Sequence, residues 1–410
     1  MYKLLLVFVF LLSGCAQHSN NRLADDLQFQ TPESILSALQ ETKPDDRDIA
    51  QYYLNIGYLQ LLSGHFPESI DALLIAKKEM GSLAATSVSE NIGAGTVNET
   101  LRSYSGYPLD RVMVHNMLAL SYLFNQDIGG ARVEMLQADV AMKKLFDKDS
   151  LSGQLASTHL ISGIIYELLD ERSNAFISYQ LAEEVLNKRH IALPEGLKLG
   201  LLRMSLKMGN DQAYDKYSQA YPSLAEHQTA KGQVFVLYFN GVVSNKVQAS
   251  LTVPSFNGQQ LIRIAMPTYP ERVPRPVSAQ VGDGQQIKNT QVTENINDIA
   301  REDLDKEYPS ILLLTTTRAI AKYKVVEEAK KKDQLIGTLL NFATLISEVA
   351  DLRSWNMLPA TIQFAYLDTN SDNIVVSPPK TADNSVSLQQ GHQHVILATN
   401  LSNKILHYQQ

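Results

Sequence analysis

The sequence predicts an α+β protein in which a helical repeat precedes a mixed α/β domain with a mainly antiparallel sheet. Three observations carry this. Between Thr31 and Tyr221 the apolar residues recur every three or four positions, the period of a helix buried on one face. From Val234 onward the chain breaks into short β-rich runs bounded by turn residues. The 410 residues are 44% hydrophobic and 19% charged, a globular composition long enough for two or three cores. The expected division is a leader over 1–14, a tether over 15–30, a helical repeat over 31–227 and an α+β domain over 228–410.

The leader opens with Met1-Tyr2-Lys3 and continues as nine apolar residues, Leu4 to Leu12. Nine residues fit the apolar region of a secretory signal and fall far short of the roughly 20 that span a bilayer. The run ends in Leu12-Ser13-Gly14-Cys15, which resembles the lipobox of bacterial lipoproteins. The resemblance implies cleavage before Cys15, a diacylglyceryl thioether on its sulfur and acylation of the new amino terminus. Two or more acyl chains make membrane release negligible. Ala16, where an Asp would retain such a protein in the inner membrane, implies the outer membrane. Gln17 to Asp26 is polar and reads as a short tether.

In the first half, Thr31-Pro32-Glu33 is a helix start, with a hydroxyl cap, proline at the first helical position and an acid in the first turn. Tyr53, Gly57, Gly64, Phe66, Ser69, Leu73 and Ala76 then lie at the spacings of a helix pair with small residues at the close approach. The pattern returns at Ala119, Tyr122, Ala131, Met135 and Ala138, at Gly163, Tyr166, Ala175, Tyr179 and Ala182, and more weakly at Ala213, Tyr217 and Ala220. It resembles the tetratricopeptide (TPR) repeat over about 170 residues. Ala76 and Ala138 are 62 residues apart against a nominal ~34, so an insertion occupies 82–108. Its glycine-bearing segments, closed by Tyr104 and Tyr107, read either as a loop or short helix lining the solenoid or as filler between helix pairs.

In the second half, strands are expected at Val234–Phe239, Val247–Val253, Leu261–Met266, Thr361–Leu367, Ile374–Ser377, Val386–Leu388, Val395–Thr399 and Ile405–Tyr408. Pro267, Pro270, Pro274 and Pro276 impose an extended surface connection. Helices are expected over Asp298–Glu307 and, restarted by Pro309, over Ile311–Lys332. Leu335 to Val349 is apolar nearly all round and too short to span, which predicts a buried helix, with contact to a lipid surface as the alternative.

The chemistry is sparse. No nucleophile elbow, zinc-protease, P-loop or dinucleotide motif occurs, so no cofactor and no catalytic residue is expected. The single cysteine excludes a disulfide framework and a multi-thiolate metal site. A formal charge of −7, from 36 Lys and Arg against 43 Asp and Glu, argues against a nucleic-acid partner. The candidate partner-binding residues are Tyr104, Tyr107, Tyr122, Tyr166 and Arg132. Asp351, Arg353 and Trp355 form a candidate pocket or a helix end tied by an ion pair. His392 and His394, alternating on a strand, are weak metal candidates with His407 as a third ligand.

The lipobox, the TPR-like helices with the stretch Asn91–Leu123, and Asp351–Ala360 together resemble a family of bacterial TPR-containing outer-membrane lipoproteins over most of the chain. The resemblance implies envelope location and this domain order, and carries over no catalytic residue. The expectation is a lipid-anchored outer-membrane protein facing the periplasm that serves as a protein-binding scaffold or adaptor for an envelope partner. A periplasmic glycan- or peptidoglycan-processing hydrolase, or a structural subunit of an envelope complex, are the alternatives.

Overall fold

The computed structural model describes residues 20–94, 100, 102–148, 150–226, 232–255, 258–272, 274–379 and 381–410. The expected leader and the lipidation expected at Cys15 lie outside these residues. The stretch 20–26, expected as tether, is helical (α1), and Ala24 and Leu27 are fully buried. Its polar side chains are spaced so that the few apolar ones share a face, and that face finds the core.

Among the described residues nine further helices precede the first strand. They are α2 (Pro32–Gln40), α3 (Ile49–Leu62), α4 (Phe66–Ala94), α5 (Pro108–Phe124), α6 (Ile128–Leu145), α7 (Ala156–Leu168), α8 (Arg172–Lys188), α9 (Glu195–Lys207) and α10 (Asp211–Ala220), with a single turn, α11, at Pro222–Ala225. The expected insertion is in part a continuation of α4 to Ala94.

Helices α3 to α10 form four hairpins, and the same device turns each. Gly64, Gln126, Asp170 and Gly209 sit at φ of 75°, 66°, 54° and 65°. After each, the next amide reaches back five residues: His65 to Gln60, Asp127 to Tyr122, Glu171 to Tyr166 and Asn210 to Ser205. This is the Schellman C-cap, which satisfies carbonyls the helix leaves open. The second helix then starts two residues beyond the left-handed position each time. Close approach also repeats. A Cβ on Gly57 would stand 2.5 Å from Leu73, and one on Gly163 would stand 2.3 Å from Tyr179. The first half is therefore a TPR-like array.

The second half holds β1 (Gly232–Asn240), β2 (Val247–Pro254), β3 (Leu261–Thr268), β4 (Gln280–Gly282), β5 (Ile287–Asn289), β6 (Gln291–Asn295), α12 (Ile296–Lys332), α13 (Gln334–Ile346), β7 (Thr361–Thr369), β8 (Asn373–Ser377), β9 (Asn384–Ser387), β10 (Gln393–Thr399) and β11 (Leu406–Gln409). The central sheet runs β11-β10-β1-β7-β6, antiparallel except for β1 with β10. A second sheet runs β5-β4-β8-β9, and β2 and β3 form a separate two-stranded ribbon. The α+β class holds.

Alternation along β1 explains the layering. Phe235, Leu237 and Phe239 pack into the same core as the repeat helices, while Val234, Val236 and Tyr238 pack against Val281, Ile374 and Val376 of the second sheet. Successive side chains on a strand face opposite ways, so a strand apolar at every position is covered on both faces. The sheet is thus sandwiched between the helical array and the smaller sheet, and one continuous core joins the two halves.

Buried carboxylates weld the same junction. Asp303 on α12 accepts from the Leu109 amide at the start of α5 (2.8 Å) and from Ser152 Oγ (2.5 Å). Glu294 on β6 accepts from the Ser157 amide (3.0 Å) in the first turn of α7. Both cap helix N-termini across the domain boundary. Burial outweighs those hydrogen bonds and pushes each carboxyl up to about 7.

Three expectations in the second half change. Pro309 lies inside one 37-residue helix rather than restarting the chain, since α12 continues through it. Strands β4 to β6, short and polar, have no apolar alternation to announce them. Helix α13, expected buried, has only Gly337 buried, because no layer of the fold covers its outer side. Among the described residues no helix is long and apolar enough to cross a membrane.

Candidate functional site

Two places on the molecule gather candidate residues: a groove on the helical array and a polar junction between the halves. The groove lies between α4, α5 and α6. Val133, Leu136 and Val140 are one, two and three steps along a single face of α6, and all three are exposed. Lys77, Arg111 and Lys144 stand around them. Below the apolar floor, Glu134 is buried and receives Lys77 Nζ at 2.7 Å, while His115 Nδ1 lies 2.8 Å from its other oxygen. Burial raises the Glu134 carboxyl, but the hydrogen bonds from His115 and Lys77 together outweigh it and hold the group below the ordinary carboxylate range. The anion is thereby fixed inside, and the open face of the groove is apolar and basic.

The junction brings together four residues that the sequence placed in two separate groups. Tyr104 and Tyr107 line the same pocket as Asp351 and Arg353, with Arg102, Glu307 and Ser310. Arg353 grips Asp351 with two nitrogens (2.9 and 2.6 Å) and reaches Asp48 at 2.9 Å. The Tyr107 amide and the Tyr104 hydroxyl both donate to buried Asp110. Lys246, 1% exposed, donates to the Arg353 carbonyl at 3.1 Å and stands 3.5 Å from the centre of the Tyr107 ring. Burial drives its amine down to about 8. Burial also raises Glu307, whereas Arg353 overcomes the burial of Asp351 and holds that carboxyl below its usual range. Chemically this is an aromatic and ionic clamp between the 82–108 segment and the residues after α13. Its pocket holds one carboxyl raised by burial, Glu307, and one held low by Arg353, Asp351.

Other candidates are used internally. Tyr122 packs where a Cβ on Gly130 would stand 2.6 Å from its ring, so it seals the α5–α6 hairpin. Tyr166 is 7% exposed and belongs to the core, which corrects its expected place in an open groove. Both occupy the hairpin position whose carbonyl accepts the back-reaching amide, and in these two hairpins the ring there packs inward. Arg132 pairs with Glu171 at 2.5 Å, linking α6 to the start of α8. Trp355 is buried in the main core and lines no open pocket with Asp351. His394 pairs with His407 at 3.0 Å rather than with His392, which precedes β10 and so escapes the strand alternation. Among the described residues no cluster of three His, Cys, Asp or Glu could hold a metal.

The groove residues Val133, Leu136 and Val140 were missed. The available signal was their spacing on α6 opposite the small residues Ala131 and Ala138 that pack the hairpin.

No protein-family model and no curated protein matches the chain. Among solved structures, the apo form of RapI is similar at 15% identity, over 54% of this chain and 70% of that one, with a TM-score of 0.34. BtubC from P. vanneervenii is similar at 15% identity, over 48% and 73%, with a TM-score of 0.30. A kinesin light chain with nearly identical TPR-like repeats from Podosopora anserina is similar at 12% identity, over 52% and 92%, with a TM-score of 0.31.

Proposed function

We propose that this chain is a lipid-anchored envelope protein, held through Cys15 in the outer membrane and facing the periplasm, whose TPR-like array acts as a scaffold for another protein. The observation that carries the binding role is the α4–α5–α6 groove, an apolar floor of Val133, Leu136 and Val140 bordered by Lys77, Arg111 and Lys144. Such a surface fits an amphipathic segment with apolar anchors and acidic flanks. The lipobox and its upstream apolar run support the location.

A photocrosslinker at Leu136 in living cells should yield one discrete adduct, and Val133→Asp with Val140→Asp should abolish it while the protein still accumulates. An adduct unaffected by those changes would remove the groove from the proposal. Radiolabelled palmitate should enter the wild type and not Cys15→Ala.

A second reading has one observation behind it. Glu307 and Asp351 line a single pocket and are pushed in opposite directions from their ordinary values, the division of labour seen in glycan hydrolysis. Both Asp351 oxygens are engaged by Arg353, which favours the clamp. Release of soluble fragments from purified peptidoglycan, lost in Glu307→Gln, would establish the hydrolase instead.

A further inference from the structure

The ribbon β2–β3 and the hairpin α12–α13 pack together as an arm beside the central sheet. Just over half of the large apolar side chains that stand exposed among the described residues, thirteen of twenty-five, lie on this arm. On α13, Leu335, Leu339, Phe342 and Ile346 follow spacings of four, three and four, a single stripe along one face. Leu335 is 69% and Phe342 66% exposed. The helix itself carries no charged residue. Along the ribbon, Leu251 pairs with Ile264 and Val253 with Ile262, so a second apolar face accompanies the stripe. Asn341 ties the two elements, receiving the Leu261 amide at 3.1 Å and donating to the Leu261 carbonyl at 2.8 Å.

An uncovered face of this size needs an occupant. Two features identify it. The first is charge. The residues 247–268 and 311–348 hold seven Lys and Arg against four Asp and Glu, in a chain whose formal charge is −7. Arg318 and Lys322 pair with Glu348 inside the arm and Lys331 pairs with Glu327 and Glu328, while Lys324 and Lys332 stand exposed on the last turns of α12, before the stripe begins. An apolar helical stripe with lysines at its end is the pattern of a helix that lies in the interface of an anionic bilayer. At 13 residues, about 20 Å, α13 is too short to span one. The second feature is where the described chain begins. The backbone carbonyls of Asn20 and Asn21 accept from the side-chain amides of Asn356 and Asn245, and Asn245 lies two residues before β2. Cys15 is five residues upstream, a reach of at most about 18 Å. Whatever surface receives an acyl chain at Cys15 is therefore next to the foot of the arm.

We infer that the α13 stripe and the β2–β3 ribbon form a second membrane-contacting element, which seats the apolar face of the arm in the headgroup region of an anionic leaflet. The inference goes beyond the scaffold role and stands whether or not the α4–α5–α6 groove holds a protein. It also gives the acyl anchor something it lacks alone, a fixed orientation of the body relative to the bilayer.

Cys15 is the only cysteine, so the full chain carrying Cys15→Ser accepts a single environment-sensitive fluorophore wherever a new cysteine is placed. With the label at Phe342→Cys, vesicles of one-third phosphatidylglycerol in phosphatidylcholine should blue-shift the emission, and a quencher carried on the lipid tails should reduce it. The same label at Val133→Cys, on the α4–α5–α6 groove, should respond to neither. Lys324→Ala with Lys332→Ala should weaken the response about tenfold in lipid concentration, and added salt should do the same. An emission at position 342 that stays aqueous in anionic vesicles overturns the inference. So does a blue shift that needs no lipid and grows with protein concentration, which would make a second copy the occupant.

Discussion

Helices α7 and α13 are both 13 residues long and both rich in Leu and Ile, yet every residue of α7 is buried and only Gly337 of α13 is. The difference lies in their surroundings. Helix α7 has α8 on one side, α6 on another and β6 at its end, so it has no free face. Helix α13 touches α12 and β3 and nothing else of comparable extent. Helix α7 also carries polar groups that only a closed interior would require. Glu167 accepts from Arg203 at 2.5 and 2.8 Å and from the Tyr179 hydroxyl at 2.8 Å. Helix α13 keeps its one strong polar contact, Asn341, on the side facing the ribbon. Apolar composition thus signals burial only where the fold supplies a second layer, and otherwise it marks a surface waiting for one.

The contrast can be broken at its strongest point first. Glu167→Ala leaves Arg203 charged and unpaired in the core, and should cost about 3–5 kcal/mol in urea unfolding. A loss under 1 kcal/mol would mean that the α7 network is dispensable. The carboxylates that weld the array to the sheet come next. Glu294 is raised in the folded state, so its contribution is fully present below the unfolded value and disappears as pH rises through about 7. Between pH 4.5 and 7 the wild type should therefore lose stability on the order of 3 kcal/mol from this group. Glu294→Gln should remove this group's share of that slope and leave the share that Asp303 contributes.

Gly163→Ala should cost about 1–3 kcal/mol, because its methyl would enter the Tyr179 ring and the α7–α8 hairpin would have to open. The smallest effect belongs to the other helix. Leu339→Gln, on the exposed stripe of α13, should change thermal stability by less than about 0.5 kcal/mol. A large loss there would show that α13 has a hidden covering layer and would restore the expectation of a buried helix.

Much of the helical array was legible because it is local. Gly57, Gly163 and the ring at Tyr179 announce a close approach whose geometry is set within one hairpin, and Gly64 marks its turn. Gln126 and Asp170 make the same turn without glycine, so residue type alone did not mark those two. Strand β1 was legible from a continuous apolar run, β7 from alternation and β10 from a short β-rich segment. The short β4, β5 and β6 were not, since a three- to five-residue polar strand is defined by its partner. The site divided in the same way. Asp351 and Arg353 were recognisable as an ion pair two residues apart. Their meeting with Tyr104 and Tyr107, nearly 250 positions away, required the arrangement of α5, α12 and the ribbon.

From the sequence alone came the helical repeat with its four hairpins, the change of composition near residue 228, and the expectation of a leader over 1–14 followed by a lipidated Cys15. Each rests on interactions between residues close in the chain, which periodicity and spacing record. Only the tertiary structure decided which apolar surfaces would be covered. Val133, Leu136 and Val140 on α6, and the stripe on α13, read in sequence like any other buried face. They remain open because the layers that close over α7 and β1 do not extend to them, and that depends on how whole elements stack.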